Sequence, residues 1–204
     1  MSLAREVINL VREIREINES SLGRVYQHFN SGEPVAIISA SRGELPPEEM
    51  NNLERNILHR KIDMDNEKDK RLYKEWLARF NTNNNKSLQQ AIRSGGFGFV
   101  PVLGGYEETQ SDGSVVSVTE KSNIVFSSPD REEELRELAI KLGGKFGQDS
   151  IFFLQTDRQS FWIYTRDFNG HNVGDTEPCG KFHPKQIGAY FTKVGKKNFS
   201  FSDE

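Results

Sequence analysis

Between Val115 and Leu154 the chain marks out a strand, a helix and a second strand, and few folds accommodate such a segment. Val115 to Phe126 is rich in β-branched residues and follows the turn signal Asp112-Gly113. Ser128 can then cap a helix that has Pro129 at its first position. Asp130, Glu132 and Glu133 meet its dipole, and Leu135, Leu138, Ala139 and Leu142 form its inward stripe. Gly143-Gly144 reads as the stop, and Ile151 to Leu154 returns as a strand. A polar turn, Asp157 to Ser160, leads to one more strand at Phe161 to Thr165.

The preceding half supplies what this segment needs. Pro34 to Ser39 (PVAIIS) is a short apolar strand, and Pro46-Pro47 with Glu48 and Glu49 opens a helix whose inward residues are Met50, Leu53 and Ile57. Asp63 to Asp69 reads as a loop. Leu72, Tyr73, Trp76, Leu77 and Phe80 restore helical spacing until the polar break Asn81 to Asn85. Ser87 and Gln90 suggest a capping box for a further short helix that Gly95-Gly96 end. Phe97 to Leu103 is the next strand, and Pro101, having no N–H to donate, places it at a sheet edge. The order is β-α-β-β-α-β. It predicts an α+β fold, a ferredoxin-like antiparallel sheet with helices on one face, an added N-terminal helix and a C-terminal strand. One domain is expected over 1–204. It comprises an N-terminal helix region at 1–30 with the stripe Leu3, Val7, Leu10, Val11, Ile14 and Ile17, an α+β core at 34–165 and a C-terminal extension at 166–204.

Composition removes several functions. Lys plus Arg is 27 and Asp plus Glu is 30, a formal charge of −3, so the chain as a whole is no polycation for nucleic acid. A single Cys forbids an internal disulfide and suits a reducing compartment, and no apolar run is long enough to span a membrane. A cytoplasmic protein is expected, in a host cytoplasm or a virion if phage-encoded. His171, Asp175, Cys179 and His183 have spacings that match no established zinc site. The glycines at 95–98 and 104–105 match no phosphate-loop motif, and no metal or cofactor is expected. Lys181, Lys185, Lys193, Lys196 and Lys197, interleaved with aromatic residues, allow weak contact with nucleic acid. They equally describe a closing segment with its lysines in water. The N-terminal stripe docks on its own domain or pairs with a second copy.

Candidate site residues are polar groups where packing favours apolar ones. Glu120 and Ser122 alternate in phase with Ile124 and Phe126, so all four share one face. Ser41 and Arg42 follow the first strand, where a strand-to-helix turn leaves backbone N–H groups free. Asn52 and Arg55 share a helix face, and Gln148 lies in the turn before the fourth strand. In a ferredoxin-like sheet Ser41, Glu120, Ser122 and Gln148 meet at one end, with Arg55 reaching toward them along its helix. A structural Arg55–Glu120 ion pair is the plainer alternative.

Ser41 to Asn52 with Arg55, GFGFVPVLGGYEE at Gly96 to Glu108, Glu120-Lys121-Ser122, and KFGQDSIFF at Lys145 to Phe153 together resemble the domain-of-unknown-function 3293 family and related small bacteriophage proteins, over roughly 35–165. The resemblance implies that Ser41, Asn52, Arg55, Gly105, Glu107, Glu120, Ser122 and Gln148 occupy recurring polar positions. It also implies a phage origin and names no activity. With no recognisable nucleophile or metal set, the expected function is a non-catalytic phage-type accessory protein that binds a host or phage protein or a small phosphate-bearing ligand. Two alternatives stay open. One is a nucleotide or nucleic-acid enzyme with Arg55 on phosphate, Glu120 as base or magnesium ligand, and Gln148. The other is a virion component.

Overall fold

The computed structural model describes residues 28–29, 31–57, 60–109, 115–183, 190–194 and 197–202. Side chains are described at all of these except 105–109, 115–118 and those after 180. The expected N-terminal helix, Lys185 and Lys196 lie outside the described residues.

Strand β1 (Val35–Ser39) is followed by α1 (Pro47–Asn56) and α2 (Glu67–Ser94). Then come β2 (Gly98–Thr109), β3 (Val115–Phe126), α3 (Glu132–Phe146), β4 (Ser150–Leu154) and β5 (Ser160–Tyr164). The C-terminal part adds β6 (Thr176–Pro178), β7 (Lys181–His183), β8 (Tyr190–Val194) and β9 (Lys197–Ser202). The strands form one antiparallel sheet in the order β6-β5-β4-β1-β3-β2-β8-β9-β7. Its middle, β4-β1-β3-β2, has the split-βαβ order, so the α+β, ferredoxin-like expectation holds.

Two apolar layers sandwich the sheet. On one face Ala36, Ile38, Val125, Ile151 and Phe153 pack against Leu88 and Ile92 of α2 and Leu135, Ala139 and Leu142 of α3. The opposite face carries Val35, Val102, Ile124, Phe152 and Leu154, with Phe29 and Cys179 packed against them. A fully buried aliphatic or Phe side chain contributes about 1.5–3 kcal/mol, so burial on both faces explains the near-continuous apolar pattern of β1 and β4.

Four expectations need correction. Helix α2 runs unbroken through Asn81 to Asn85, where the first and last of these amides have partners beyond the helix. Asn81 accepts from the Arg42 N–H at 3.0 Å and donates to the Arg42 carbonyl at 2.9 Å, while Asn85 accepts from Asn123 at 2.9 Å. Its cap is Asn66, which accepts from the Lys68 and Asp69 N–H groups, and Ser87 lies mid-helix. Helix α3 continues past Gly143-Gly144 to Phe146 and ends on Gly147 with φ +69°; the two earlier glycines serve packing instead. Strand β2 has a single neighbour, β3, only as far as Val102, where Pro101 falls; from Leu103 to Tyr106 it pairs with β8 as well and is no longer an edge. Behind β5 stand four strands, where an extension over 166–204 was expected; Lys181, Lys193 and Lys197 lie on β7, β8 and β9.

Two features of the β3 register matter below. Its pairing with β1 covers only Ser122 to Phe126 and closes on the Ser39–Ser122 row, while its pairing with β2 continues to Val115. The loop before α2 is tied down separately. Buried Asp69 accepts from both terminal nitrogens of the Arg60 guanidinium and, at 3.0 Å, from the Asp63 N–H. These bonds hold its carboxyl down at about 2, against an ordinary value of 3.8. The folded-state value is depressed, so the stabilisation is complete above pH 3.8 and is lost as pH falls toward 2. Asp69→Asn is expected to abolish that acid-range loss. It should also speed hydrogen exchange of the first amides of α2 at neutral pH.

Candidate active site

The sheet order brings together the C-terminal end of β1, the middle of β3 and the approach to β4. Ser39, in phase with Val35 and Ile37, lies on the face opposite α2 and α3, as do Ser122 and Glu120 on β3. The Ser39 hydroxyl donates to the Lys121 carbonyl at 3.0 Å and accepts from the Ser41 N–H at 3.0 Å. The Ser41 hydroxyl donates to the same Lys121 carbonyl at 3.4 Å. Gln148 donates to the Ser41 carbonyl at 2.9 Å, and its own carbonyl accepts from the Thr165 hydroxyl at 2.5 Å.

Gly104 of β2 stands directly opposite Glu120. A Cβ there would lie 3.1 Å from the Ser122 hydroxyl and 3.7 Å from the Glu120 Cγ, so glycine is what lets both side chains lie over the strand. Glu120 is half-buried beside these uncharged groups. Burial pushes its carboxyl up to about 7 from an ordinary 4.5, and the Ser39 hydroxyl opposes the rise.

Ser41, Glu120, Ser122 and Gln148 therefore converge as the sheet order predicts. Arg55 does not join them. It is exposed, with its guanidinium on the Asn51 carbonyl at 3.3 Å and the Asn52 amide oxygen at 2.6 Å, and Asn52 also donates to Glu49. An Arg55–Glu120 pair is thus replaced by an i, i+3 surface contact within α1. Arg42 turns away as well, donating through Nε to the Phe146 carbonyl at 3.3 Å at the C-terminus of α3. The backbone of Glu107 lies on β2, but its side chain is outside those described. Ser39 was missed because it closes an apolar run; its phase with Val35 and Ile37 was the available signal.

On the helix side, fully buried Asn123 accepts from Gln89 at 3.1 Å and donates to Asn85, a pairing that locks β3 onto α2 behind the site. Among the described residues there is no group of three or more His, Cys, Asp or Glu suited to hold a metal ion, and no helix is long and apolar enough to cross a membrane.

Fold and site define an α+β protein with a titratable carboxylate set among hydroxyls at one end of a ferredoxin-like sheet. The model of the S-adenosylmethionine lyase family matches residues 36–202, and the chain belongs to that family. No curated protein matches the chain. The family match overturns the resemblance to the domain-of-unknown-function 3293 family and phage proteins, and with it the non-catalytic accessory, nucleic-acid-enzyme and virion readings. The motifs behind that resemblance fall on α1, on β2, on the middle of β3 and on the turn from α3 into β4. The family match also takes in β6 to β8 and β9 as far as Ser202.

Proposed function

We propose that the chain is a lyase acting on S-adenosylmethionine, with Glu120 as counter-charge to the substrate. The single observation that carries the assignment of the site is the half-buried Glu120 carboxyl facing Ser39; the family supplies the substrate class. S-adenosylmethionine carries two positive groups, a sulfonium and an α-ammonium. A lyase breaks a bond of its substrate without water or redox change. Here an oxygen of the substrate's own carboxylate bonds the carbon that bears sulfur as that C–S bond breaks, so the sulfur leaves with the electron pair as a neutral thioether and the rest closes to a lactone.

That chemistry decides where a carboxylate helps. The sulfonium loses its charge on the way to the transition state, so a carboxylate against sulfur would hold the ground state more tightly and slow the reaction. The ammonium keeps its charge throughout, so Glu120 pairs with the ammonium. An adjacent cation draws the Glu120 proton off, so the carboxyl is ionised when substrate is bound at neutral pH. Ser122 and Ser41 offer hydroxyls to the substrate's polar end. Gln148 keeps Ser41 in place through its carbonyl.

The near-neutral value of Glu120 also favours a second reading, in which it removes the proton on the carbon next to the one bearing sulfur. Incubating the purified chain with S-adenosylmethionine that carries two deuterium atoms on the carbon next to the one bearing sulfur, with the products resolved by chromatography and mass spectrometry, tests both. Release of an adenosyl thioether above the spontaneous rate is expected, with both deuterium atoms kept in the residual product. No release above background overturns the lyase assignment. Loss of one deuterium from the residual product replaces the counter-charge role with the base.

A further inference from the structure

One side chain in the site is buried without a partner. Ser122 is 4% exposed, and among the described residues nothing hydrogen-bonds to its hydroxyl. The neighbouring Ser39 and Ser41 hydroxyls, by contrast, both have an acceptor in the Lys121 carbonyl. Buried hydroxyls are nearly always satisfied, so this one marks a place for a ligand or a water. It borders the gap left by Gly104. The point where a Cβ would stand on Gly104 is 3.1 Å from the Ser122 Oγ, within hydrogen-bond range of a nitrogen donor. The Glu120 Cγ lies 3.7 Å from the same point, and the Glu120 backbone carbonyl oxygen 3.8 Å. Gly104 is itself half-exposed, so an incoming group can reach the gap. A hydroxyl, a carbonyl and a carboxyl therefore surround one methyl-sized space. Among the described residues no cation pairs with Glu120. A carboxylate oxygen in that space would be repelled by the Glu120 carboxylate and carbonyl, and a methyl group would leave Ser122 unsatisfied. An ammonium group has the size of a methyl, three N–H donors and the charge opposite to that of Glu120.

We propose that the gap over Gly104 is the seat of a primary ammonium, the α-ammonium of the substrate, with the Ser122 hydroxyl and the Glu120 carboxylate as its acceptors. The identity of the ligand rests on the reading of the chain as an S-adenosylmethionine lyase; the seat itself rests on the gap and the unsatisfied hydroxyl. Gly104 and Ser122 are thereby specificity-determining residues. The glycine supplies the room, and the serine supplies an acceptor that only a group with N–H or O–H donors can use.

The test is calorimetric binding of S-adenosylhomocysteine to the full-length chain. This probe keeps the α-ammonium, but its sulfur is already a neutral thioether, so binding is read without turnover. The reference is the analogue with hydrogen in place of the α-amino group. The parent is expected to bind the probe about a hundredfold more tightly than the reference. Ser122→Ala weakens binding of the probe about tenfold, and Gly104→Ala, whose methyl fills the seat, removes most of the preference. Neither changes binding of the reference. Ser122→Ala takes away an unsatisfied buried group and leaves the fold intact, so this variant decides the matter even where Gly104→Ala does not fold. A parent that does not tell the two ligands apart overturns the seat. So does a Ser122→Ala chain that binds the probe as the parent does, or one that loses both ligands equally. Turnover is read separately. A chain that discriminates the two ligands yet releases no thioether from S-adenosylmethionine keeps the seat and loses the lyase reading, and one that cleaves without discriminating does the reverse.

Discussion

Glu120→Gln is expected to raise KM for S-adenosylmethionine by about two orders of magnitude, with a much smaller change in kcat. The split follows from the ammonium keeping its charge in ground and transition states alike, so its counter-charge binds both equally. In the parent enzyme kcat/KM should climb with pH and level off above about 7, where the free carboxyl is ionised. The same substitution should stabilise the ligand-free protein. The folded-state value of Glu120 is raised, so the native chain holds this proton more tightly than the unfolded chain between about 4.5 and 7. Stability therefore falls as pH climbs through that window. The amide copies the protonated side chain and escapes the fall. Its advantage over the parent should be nearly absent at about pH 4 and reach on the order of 3 kcal/mol above about pH 8. Thermal melts of both proteins across that range check the sign. Equal melting temperatures at high pH would show that the carboxylate carries no burial cost.

The second large effect is a folding effect. Helix α3 lies so close to the start of β4 that a Cβ on Gly143 would sit 2.5 Å from the Thr165 Cγ2 and 2.9 Å from the Ile151 Cγ2, and one on Gly144 would sit 2.9 Å from the Thr165 carbonyl oxygen. Gly143→Ala gains helix propensity, which offsets only part of the overlap with two β-branched side chains, so a net loss of about 2 kcal/mol is expected in denaturant melts. Adding Thr165→Ser removes the nearer methyl, keeps the hydroxyl on the Gln148 carbonyl, and should restore about half of the loss. Gly98→Ala meets nothing within 4 Å and serves as the neutral control. A double variant no more stable than Gly143→Ala alone would place the strain elsewhere than at Thr165.

The core order was legible because most boundaries have local chemistry: Pro47 at a helix start, Pro129 in the 3-10 turn just ahead of α3, Gly95 at the end of α2, alternation in β3. Helix α2 was cut in two for the opposite reason. A run of Asn reads as a break when each amide is imagined turning back on its own backbone, and nothing local reveals that Asn81 and Asn85 have partners near Arg42 and at Asn123. The strands after β5 are short, and they are defined by pairing with residues far away in sequence, such as Leu103 with Lys193. The convergence of Ser41, Glu120, Ser122 and Gln148 was legible because strand order dictates which ends meet. Arg55 failed because sharing the correct helix does not mean reaching the sheet. Its guanidinium is taken up one turn away by Asn51 and Asn52.

The register of β3 has a mechanical meaning. As far as the Ser39–Ser122 row the strand is clamped between β1 and β2, and beyond it the β2–β3 ribbon projects as a cantilever that carries β8 along its outer side. Glu120 stands two residues past the clamp on the same face as Ser122. The carboxylate therefore rides on the arm, and the hydroxyl that answers it is fixed to the wall. Flexing the arm moves Glu120 relative to β1, so the arm's bending stiffness, set by the β2–β3 rows from Gly104–Glu120 to Thr109–Val115 and by β8 alongside Gly104 to Tyr106, becomes part of how firmly the site holds its charge.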